Sequence, residues 1–242
     1  MEQVKPYAQE RTGKKAQVRQ MFDRIAPAYD LLNSVLSLGI DTRWRNKAIA
    51  ELPASSNSLH ILDIATGTGD MCIQARKRYP HYQYTGLDLS DGMLEIGRQR
   101  LKKMNIQGIE LIQGDSEQLA FGDNRFDAVM AAFGVRNFEN LDKGLQEIYR
   151  VLKPGGKLIV LEFSRPRRFP FRQLFGFYFK NVLPLIGSWG SKDAQAYKYL
   201  YESVQQFPDY DRFTDRLTAC GFHSAGFHSL SLGICCIYTG LK

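Results

Sequence analysis

The sequence predicts an α/β fold with a mostly parallel sheet and helices on both faces, and two observations carry that prediction. The first is the stretch 59–70, LHILDIATGTGD, where an apolar run ending in Asp63 gives way to Ala65, Gly67 and Gly69 and then to Asp70. That order reads as a buried strand, a tight turn and a helix start, because only glycine accepts positive φ freely and lets a ligand approach the backbone closely. The second is the alternation of strand-like and helical segments from residue 59 to residue 163, which implies parallel strands joined by crossover helices.

Ahead of this core, residues 1–15 are polar and charged, and they are expected to be loose or to order only on binding. From Ala16 to Arg24 a helical period places Val18, Met21, Phe22 and Ile25 on one face, and Pro27 is expected to end the helix. Tyr29 and Asp30 stand at that break. An amphipathic piece with Leu31, Leu32, Val35, Leu36 and Leu38 follows and stops at Gly39, after which Asp41 is expected to cap a new helix, DTRWRNKAIAEL. Residues 1–50 thus read as helices placed before the sheet, either as scaffold or as a lid. An aromatic hydroxyl beside an acid at a helix break is less easily explained by packing, so Tyr29 is a candidate for the site.

After the glycine turn, MCIQARKR is the first crossover helix, YQYTGLD the second strand and MLEIGRQRLKKM the second helix. The second strand closes with Asp88, 21 residues beyond Gly67, where an acid can accept both hydroxyls of a ribose. The dinucleotide fingerprint GxGxxG is incomplete, since Cys72 occupies its third glycine position. Asp63 and Asp70 bracketing the glycines disfavour a pyrophosphate and suit a cationic cofactor carrying an amino group. The cradle expected for that cofactor is Asp63, Ala65, Thr66, Gly67, Thr68 and Gly69, with Asp88.

IELIQGD, the third strand, delivers Asp115 and Ser116 to the same carboxyl edge, where doubly wound sheets bind their ligands. RFDAVMAAFGVRNF supplies the fourth strand and breaks at Gly134, with Arg136 and Asn137 beyond it. LDKGLQEIYRVL is a helix, KPGG turns the chain, and KLIVLEF is the fifth strand, which places Glu162 and Ser164 at its end. AYKYLYESVQQF and DYDRFTDRLTACGF are helices, and FHSAGFHSL with GICCIYTGL forms a terminal hairpin. The chain is read as one domain, with 1–50 as the lid and 165–205 as a helical insertion rich in aromatic and basic residues.

Composition narrows the function classes. Of 242 residues, 44% are apolar and 24% charged, ordinary values for a globular protein, and the formal charge of +7 suits an anionic surface. The four cysteines, Cys72, Cys220, Cys235 and Cys236, show neither zinc spacing nor a disulfide framework, and the four histidines are scattered, so no metal site is expected. The start lacks the apolar core of a signal peptide, and FGFYFKNVLPLIGSW is interrupted by Lys180, Asn181 and Pro184. A cytoplasmic protein is expected, peripheral at the inner face of the membrane. The mixture of Arg165, Arg167, Arg168, Arg172 and Lys180 with Phe169, Phe171, Phe175, Phe177, Tyr178 and Phe179 suits a membrane interface or an apolar substrate tunnel. No RNA-binding signature accompanies it, so nucleic acid is not the expected partner.

The glycine turn, Asp88 and KPGG at Lys153–Gly156 together resemble the class I S-adenosylmethionine-dependent methyltransferases. Three longer stretches, Phe22 to Ile49, Phe133 to Gly156 and Leu161 to Pro166, resemble the UbiE/MenG family of quinone C-methyltransferases. The resemblance implies a Rossmann-like fold with a seven-stranded sheet and an N-terminal helical lid, and S-adenosylmethionine as cofactor without a metal. It further implies that Asp115 and Ser116 contact the adenine, and that a reduced prenylated quinol, demethylmenaquinol before a benzoquinol, is the acceptor. Ala132 stands where many relatives carry serine, which leaves only a backbone contact to the cofactor there. Arg136 and Asn137 are expected as the polar pair over the quinol ring, with Arg136 lowering the pKa of the ring hydroxyl or orienting a water, and Tyr29 completing the pocket. A nucleotide-binding oxidoreductase is the alternative from another class, supported by GxG and Asp88 alone. The oligomeric state is left open, a homodimer being one option.

Overall fold

The computed structural model describes residues 3–7, 9–36, 39–177, 181 and 194–242, with 27–36, 194 and 197 described by backbone alone. Seven strands, β1 (His60–Ile64), β2 (Gln83–Asp88), β3 (Ile109–Gln113), β4 (Phe126–Ala132), β5 (Leu152–Phe163), β6 (His223–Leu230) and β7 (Cys235–Leu241), form one sheet in the order β3-β2-β1-β4-β5-β7-β6. β1 to β5 run parallel, and β7 is antiparallel to both β5 and β6. The order reverses between β1 and β4, so the carboxyl ends of those two strands flank the crevice where such sheets bind ligands.

The central strands read as continuous apolar runs because successive side chains point to opposite faces and both faces are covered. In β1, Leu62 and Ile64 join one core with Val129, Leu158, Val160 and helix α5 (Leu141–Val151), while Ile61 joins a second core with Met130 and Ile159. The second core is closed by Ala48 and Ile49 of α2 (Ile40–Ile49) and by Met71, Cys72 and Ala75 of α3 (Asp70–Arg78). Helix α4 (Asp91–Lys103) begins at Ser90, whose hydroxyl accepts from the Met93 N–H at 3.1 Å. After β5 come α6 (Phe171–Phe177), α7 (Ala194–Gln206) and α8 (Asp211–Ala219). Part of the aromatic and basic insertion, residues 178–180 and 182–193, lies outside the described residues.

Two helix boundaries correct the sequence reading. Helix α1 runs unbroken from Lys14 to Leu36, through Pro27. Proline removes one N–H from the ladder at a local cost of ~3 kcal/mol, and a helix of 23 residues whose first half packs Val18 and Met21 against Tyr7, Ala196 and Tyr199 absorbs it. Asp41 is not the cap of α2 either. That position belongs to Gly39, in the left-handed conformation at φ 73°, and Asp41 lies inside the first turn, 3.7 Å from Arg45. An acid there favours the helix through its dipole rather than by capping.

Helix α4 sits hard against the glycine turn. A Cβ on Gly97 would meet the Thr68 carbonyl oxygen at 2.9 Å and Leu111 Cδ1 at 2.7 Å. Gly97→Ala is therefore expected to lower stability in urea unfolding by ~1–3 kcal/mol, outweighing the ~0.5–1 kcal/mol that alanine adds in a helix interior. A variant as stable as the parent would show that this contact yields.

Candidate active site

The turn between β1 and α3 is braced from below by a buried acid. Asp63 is 1% exposed, and its Oδ2 accepts from Thr66 Oγ1 at 2.5 Å and from Cys72 Sγ at 3.4 Å. Among the described residues its Oδ1 has no partner, and burial pushes its carboxyl up to about 7, opposed by those two donors and by Arg45. Ala65, Gly67 and Gly69 all take positive φ, at 52°, 58° and 81°. The second and third are the glycines of the sequence pattern, and the first is a non-glycine residue held in a strained conformation. Thr68 Oγ1 accepts from Arg100 at 2.9 Å, and Arg100 also pairs with Asp70 at 2.6 Å, which ties the turn to α4.

From the side, the turn is fixed to the end of β2. The Gly67 N–H donates to Asp88 Oδ2 at 2.8 Å, the Ser90 N–H donates to Asp88 Oδ1 at 2.9 Å, and the Thr66 N–H donates to the Leu87 carbonyl at 3.0 Å. Desolvation pushes the Asp88 carboxyl above the usual carboxylate range, and these backbone donors oppose it. One further residue, Asp115 at the end of β3, accepts from the Glu117 N–H at 2.8 Å and pairs with Lys15 Nζ at 2.7 Å.

A cleft lies at the carboxyl ends of β1 to β4. Of the residues expected from sequence, Ala65, Gly67, Asp88, Asp115, Ser116, Ala132 and Asn137 line it. Asp63, Thr66, Thr68 and Gly69 do not; they hold the turn in shape. The wall facing the sheet comes from α1 through Lys15, Val18, Arg19 and Phe22. That helix is pinned in place. Lys15 also reaches Glu117 at 3.3 Å, Asp23 accepts from Ser90 Oγ at 2.6 Å, and the buried Lys14 donates to the Phe138 carbonyl at 2.8 Å and to that of Arg136 at 3.2 Å. Burial lowers the Lys14 ammonium to about 8, against the pull of Glu117 and Glu139.

Beyond β4 the chain turns sharply. Phe133 lines the cleft at φ 60° and packs against Phe163 at 4.7 Å between centroids with the rings tilted, and Trp44 closes the aromatic cluster at 6.4 Å. The short helical turn Val135–Asn137 then separates the two polar candidates. Asn137 faces the cleft, and its Oδ1 accepts from the buried Tyr199 hydroxyl of α7 at 3.2 Å. Arg136 points elsewhere: Nη1 pairs with the fully buried Glu162 at 2.9 Å and donates to the Phe133 carbonyl. The expectation that Arg136 stands over the ligand beside Asn137 is thus not met: its guanidinium is held in a buried pair with Glu162. Ser164, the other residue at the end of β5, donates to the Gly233 carbonyl at 2.8 Å and is buried. Tyr29 lies in α1, and its side chain is outside the described residues.

Sequence reasoning missed Lys15, Arg19, Phe133 and Tyr199. The apolar face of α1 was visible at Val18 and Phe22, but its target was not; Phe133 carried a signal in the FG that ends β4; Tyr199 carried none.

A doubly wound sheet with an antiparallel β7, an acid-rich cleft at the switch point and a strapping N-terminal helix defines a class I methyltransferase fold. It matches an S-adenosylmethionine-dependent methyltransferase from Thermotoga maritima with a TM-score of 0.66 at 19% identity, over 93% of this chain and 99% of that one. The model of the ubiE/COQ5 methyltransferase family matches residues 10–242. The demethylmenaquinone methyltransferase of Bacteroides fragilis is 48% identical over 100% of this chain and 98% of its own. The ubiquinone/menaquinone biosynthesis C-methyltransferase UbiE of Geotalea daltonii is 45% identical over 96% and 98%. The chain belongs to the ubiE/COQ5 methyltransferase family.

The buried Asp63 makes stability depend on pH in a defined direction. Unfolded, an aspartate ionises near 3.9; folded, Asp63 does so at about 7, so between those values the folded state holds a proton that the unfolded chain has released. Its contribution to stability is present at low pH and is lost as pH rises through about 7. Melting temperature measured for the parent minus that for Asp63→Asn is expected to fall between pH 5 and pH 8. A gap that stays constant or widens would refute the burial effect.

Proposed function

We propose that this protein transfers a methyl group from S-adenosylmethionine to a ring carbon of a reduced prenylated quinol, converting demethylmenaquinol to menaquinol in menaquinone biosynthesis. The observation that carries this reading is the 48% identity, over the whole chain, to a relative named demethylmenaquinone methyltransferase. The double name of the Geotalea relative supports a second reading, C-methylation of a polyprenyl benzoquinol. Because the prenyl chain of either acceptor belongs in a bilayer, the enzyme is read as working at a membrane surface.

The cleft fits the donor. Its acceptor groups, Asp88, Asp115 and Glu117, suit ribose hydroxyls, an exocyclic amine and a positive charge, and they would repel the phosphates of a dinucleotide. Asp88 would accept the ribose hydroxyls on the lone pairs that Gly67 and Ser90 leave free, with Asp115 and Ser116 toward the adenine and the backbone of Ala65, Gly67 and Ala132 along the remainder. When bound, S-adenosylmethionine supplies an electrophilic methyl on a sulfonium.

The acceptor must be electron-rich, so the chain's task is to favour an ionised ring hydroxyl beside the reacting carbon. Asn137 is placed for this. Burial holds the Tyr199 phenol well above its ordinary range, so it stays a donor; Asn137 Oδ1 receives that bond, and its amide N–H groups are left for an oxyanion in the cleft. Arg136 does not line the cleft and is neutralised by Glu162 at 2.9 Å, so its role is to hold the turn that carries Asn137. Transfer breaks the sulfur–methyl bond, forms a carbon–carbon bond and releases the proton from the ring carbon. Phe22 and Tyr29 of α1 would close the pocket and exclude bulk water.

Methyl transfer from labelled S-adenosylmethionine to a demethylnaphthoquinone with a short prenyl tail is expected only when dithionite keeps the acceptor reduced. Product with the benzoquinol alone would move the assignment to the second reading. Asp88→Ala should weaken S-adenosylmethionine binding by roughly 2–4 kcal/mol, the scale of two charge-assisted hydrogen bonds, read by calorimetry. Unchanged affinity would remove Asp88 from the cofactor site. Tyr199→Phe is expected to lower kcat about tenfold while leaving donor affinity unchanged, the cost of one misoriented hydrogen bond in the transition state. Equal losses in donor binding would make Tyr199 a packing residue instead.

A further inference from the structure

Past β5 the chain leaves a group of large apolar side chains in solvent. Phe169 is 80% exposed, Leu174 59% and Phe177 63%, with Phe171 at 37% beside them. Phe171, Leu174 and Phe177 recur every third residue and share one stripe of α6, while Phe175 turns inward at 7% and anchors the helix. Leu232, 64% exposed, stands by the start of this stretch, since its neighbour Gly233 takes the Ser164 hydroxyl bond at 2.8 Å and lies against Pro166. Soluble surfaces scatter such residues singly; a contiguous set marks an interaction site.

The polar residues around this stripe are basic. Arg167, Arg168 and Arg172 are all exposed. Arg167 lies over the Tyr210 ring at 4.0 Å and pairs with Asp211 at 3.2 Å, whereas among the described residues Arg168 and Arg172 form no ion pair. The chain as a whole carries +7. Aromatic and aliphatic groups ringed by uncompensated arginines match the boundary between phosphate headgroups and acyl chains, where rings bury and guanidiniums meet anionic lipid. The patch also begins six residues after Phe163, which packs against the cleft residue Phe133.

We propose that this face docks the protein on an anionic lipid bilayer and sets the mouth of the cleft at the depth where a lipid-borne acceptor presents its head. The docking rests on the patch alone; only the identity of the delivered acceptor rests on the quinol reading above. A protein partner or a second copy of the chain would use the same apolar stripe, but neither explains why the cations beside it are left unpaired.

The test uses the full chain and sedimentation with vesicles of phosphatidylcholine, either alone or with about a third phosphatidylglycerol. Binding to the anionic vesicles, weakened at least tenfold both by Phe169→Ser with Leu174→Ser and Phe177→Ser and by Arg168→Gln with Arg172→Gln, is expected. These residues lie outside the cleft, so turnover of a short-tailed soluble acceptor and donor binding should match the parent. Turnover of a long-tailed acceptor embedded in the vesicles should fall at least tenfold. No binding of the parent to anionic vesicles, or variants that bind as the parent does, would overturn the docking proposal. So would self-association that the apolar variant abolishes in the absence of vesicle binding. A parent that methylates the short-tailed quinol without binding vesicles would defeat the docking and keep the quinol reading; binding without methylation of any quinol would do the reverse.

Discussion

The hydrogen bond from the Gly67 N–H to Asp88 Oδ2 is the constraint on which the rest of the site depends. It ties the turn after β1 to the end of β2, and it requires Gly67 at φ 58° so that the N–H points sideways across the sheet edge. Asp63 holds the turn from beneath through Thr66, and Arg100 holds it from α4 through Thr68. Three supports of different chemistry converge on a few residues, so the turn is rigid before any ligand arrives. Preorganisation of this kind lowers the ordering cost of binding.

The acids along the cleft, Asp88, Asp115 and Glu117, set its charge, and Asp63 lies beneath them. Asp63 and Asp88 are both raised by desolvation, and Asp115 and Glu117 stand at the far wall with Lys15 between them. A ligand that brings donors and positive charge relieves this arrangement, whereas a phosphate would aggravate it. The same lysine joins α1 to the end of β3, so one ion pair serves both the electrostatics of the cleft and the position of the helix that covers it. Lys14, one residue earlier, reaches backbone carbonyls after β4. Adjacent lysines thus grip two different strand ends.

Beyond β4, polar groups are paired with each other and turned away from water. Arg136 and Glu162 form a buried pair whose net charge is near zero, and Tyr199 sets the orientation of Asn137. Breaking one member of a buried pair leaves an uncompensated charge, so this pair fixes the geometry more than it adds net stability. Family membership, an acid-rich donor cleft, an aromatic wall at Phe133 and Phe163 and the exposed stripe on α6 describe one arrangement.

Strand order along the chain, the helices between strands and the terminal hairpin were legible because each leaves a local signal: an apolar run bounded by turn residues in β1 and β4, a helical period in α5. The glycine turn and Asp88 were legible because their spacing has a steric and chemical reason. Pro27 and Asp41 were misread because local rules weigh a residue against its neighbours in sequence, while packing of α1 against α7 and the left-handed Gly39 decided those boundaries. The roles of Asp63, Thr66 and Thr68 as braces rather than cleft wall, the Arg136–Glu162 pair and the contact of Tyr199 with Asn137, 62 residues apart, were not legible at all. The sequence by itself determined the fold class, the family and the residues that reach the sheet edge. Only the tertiary structure decided which of those residues face the cleft and which face one another, because that choice depends on burial and on partners brought together from distant parts of the chain.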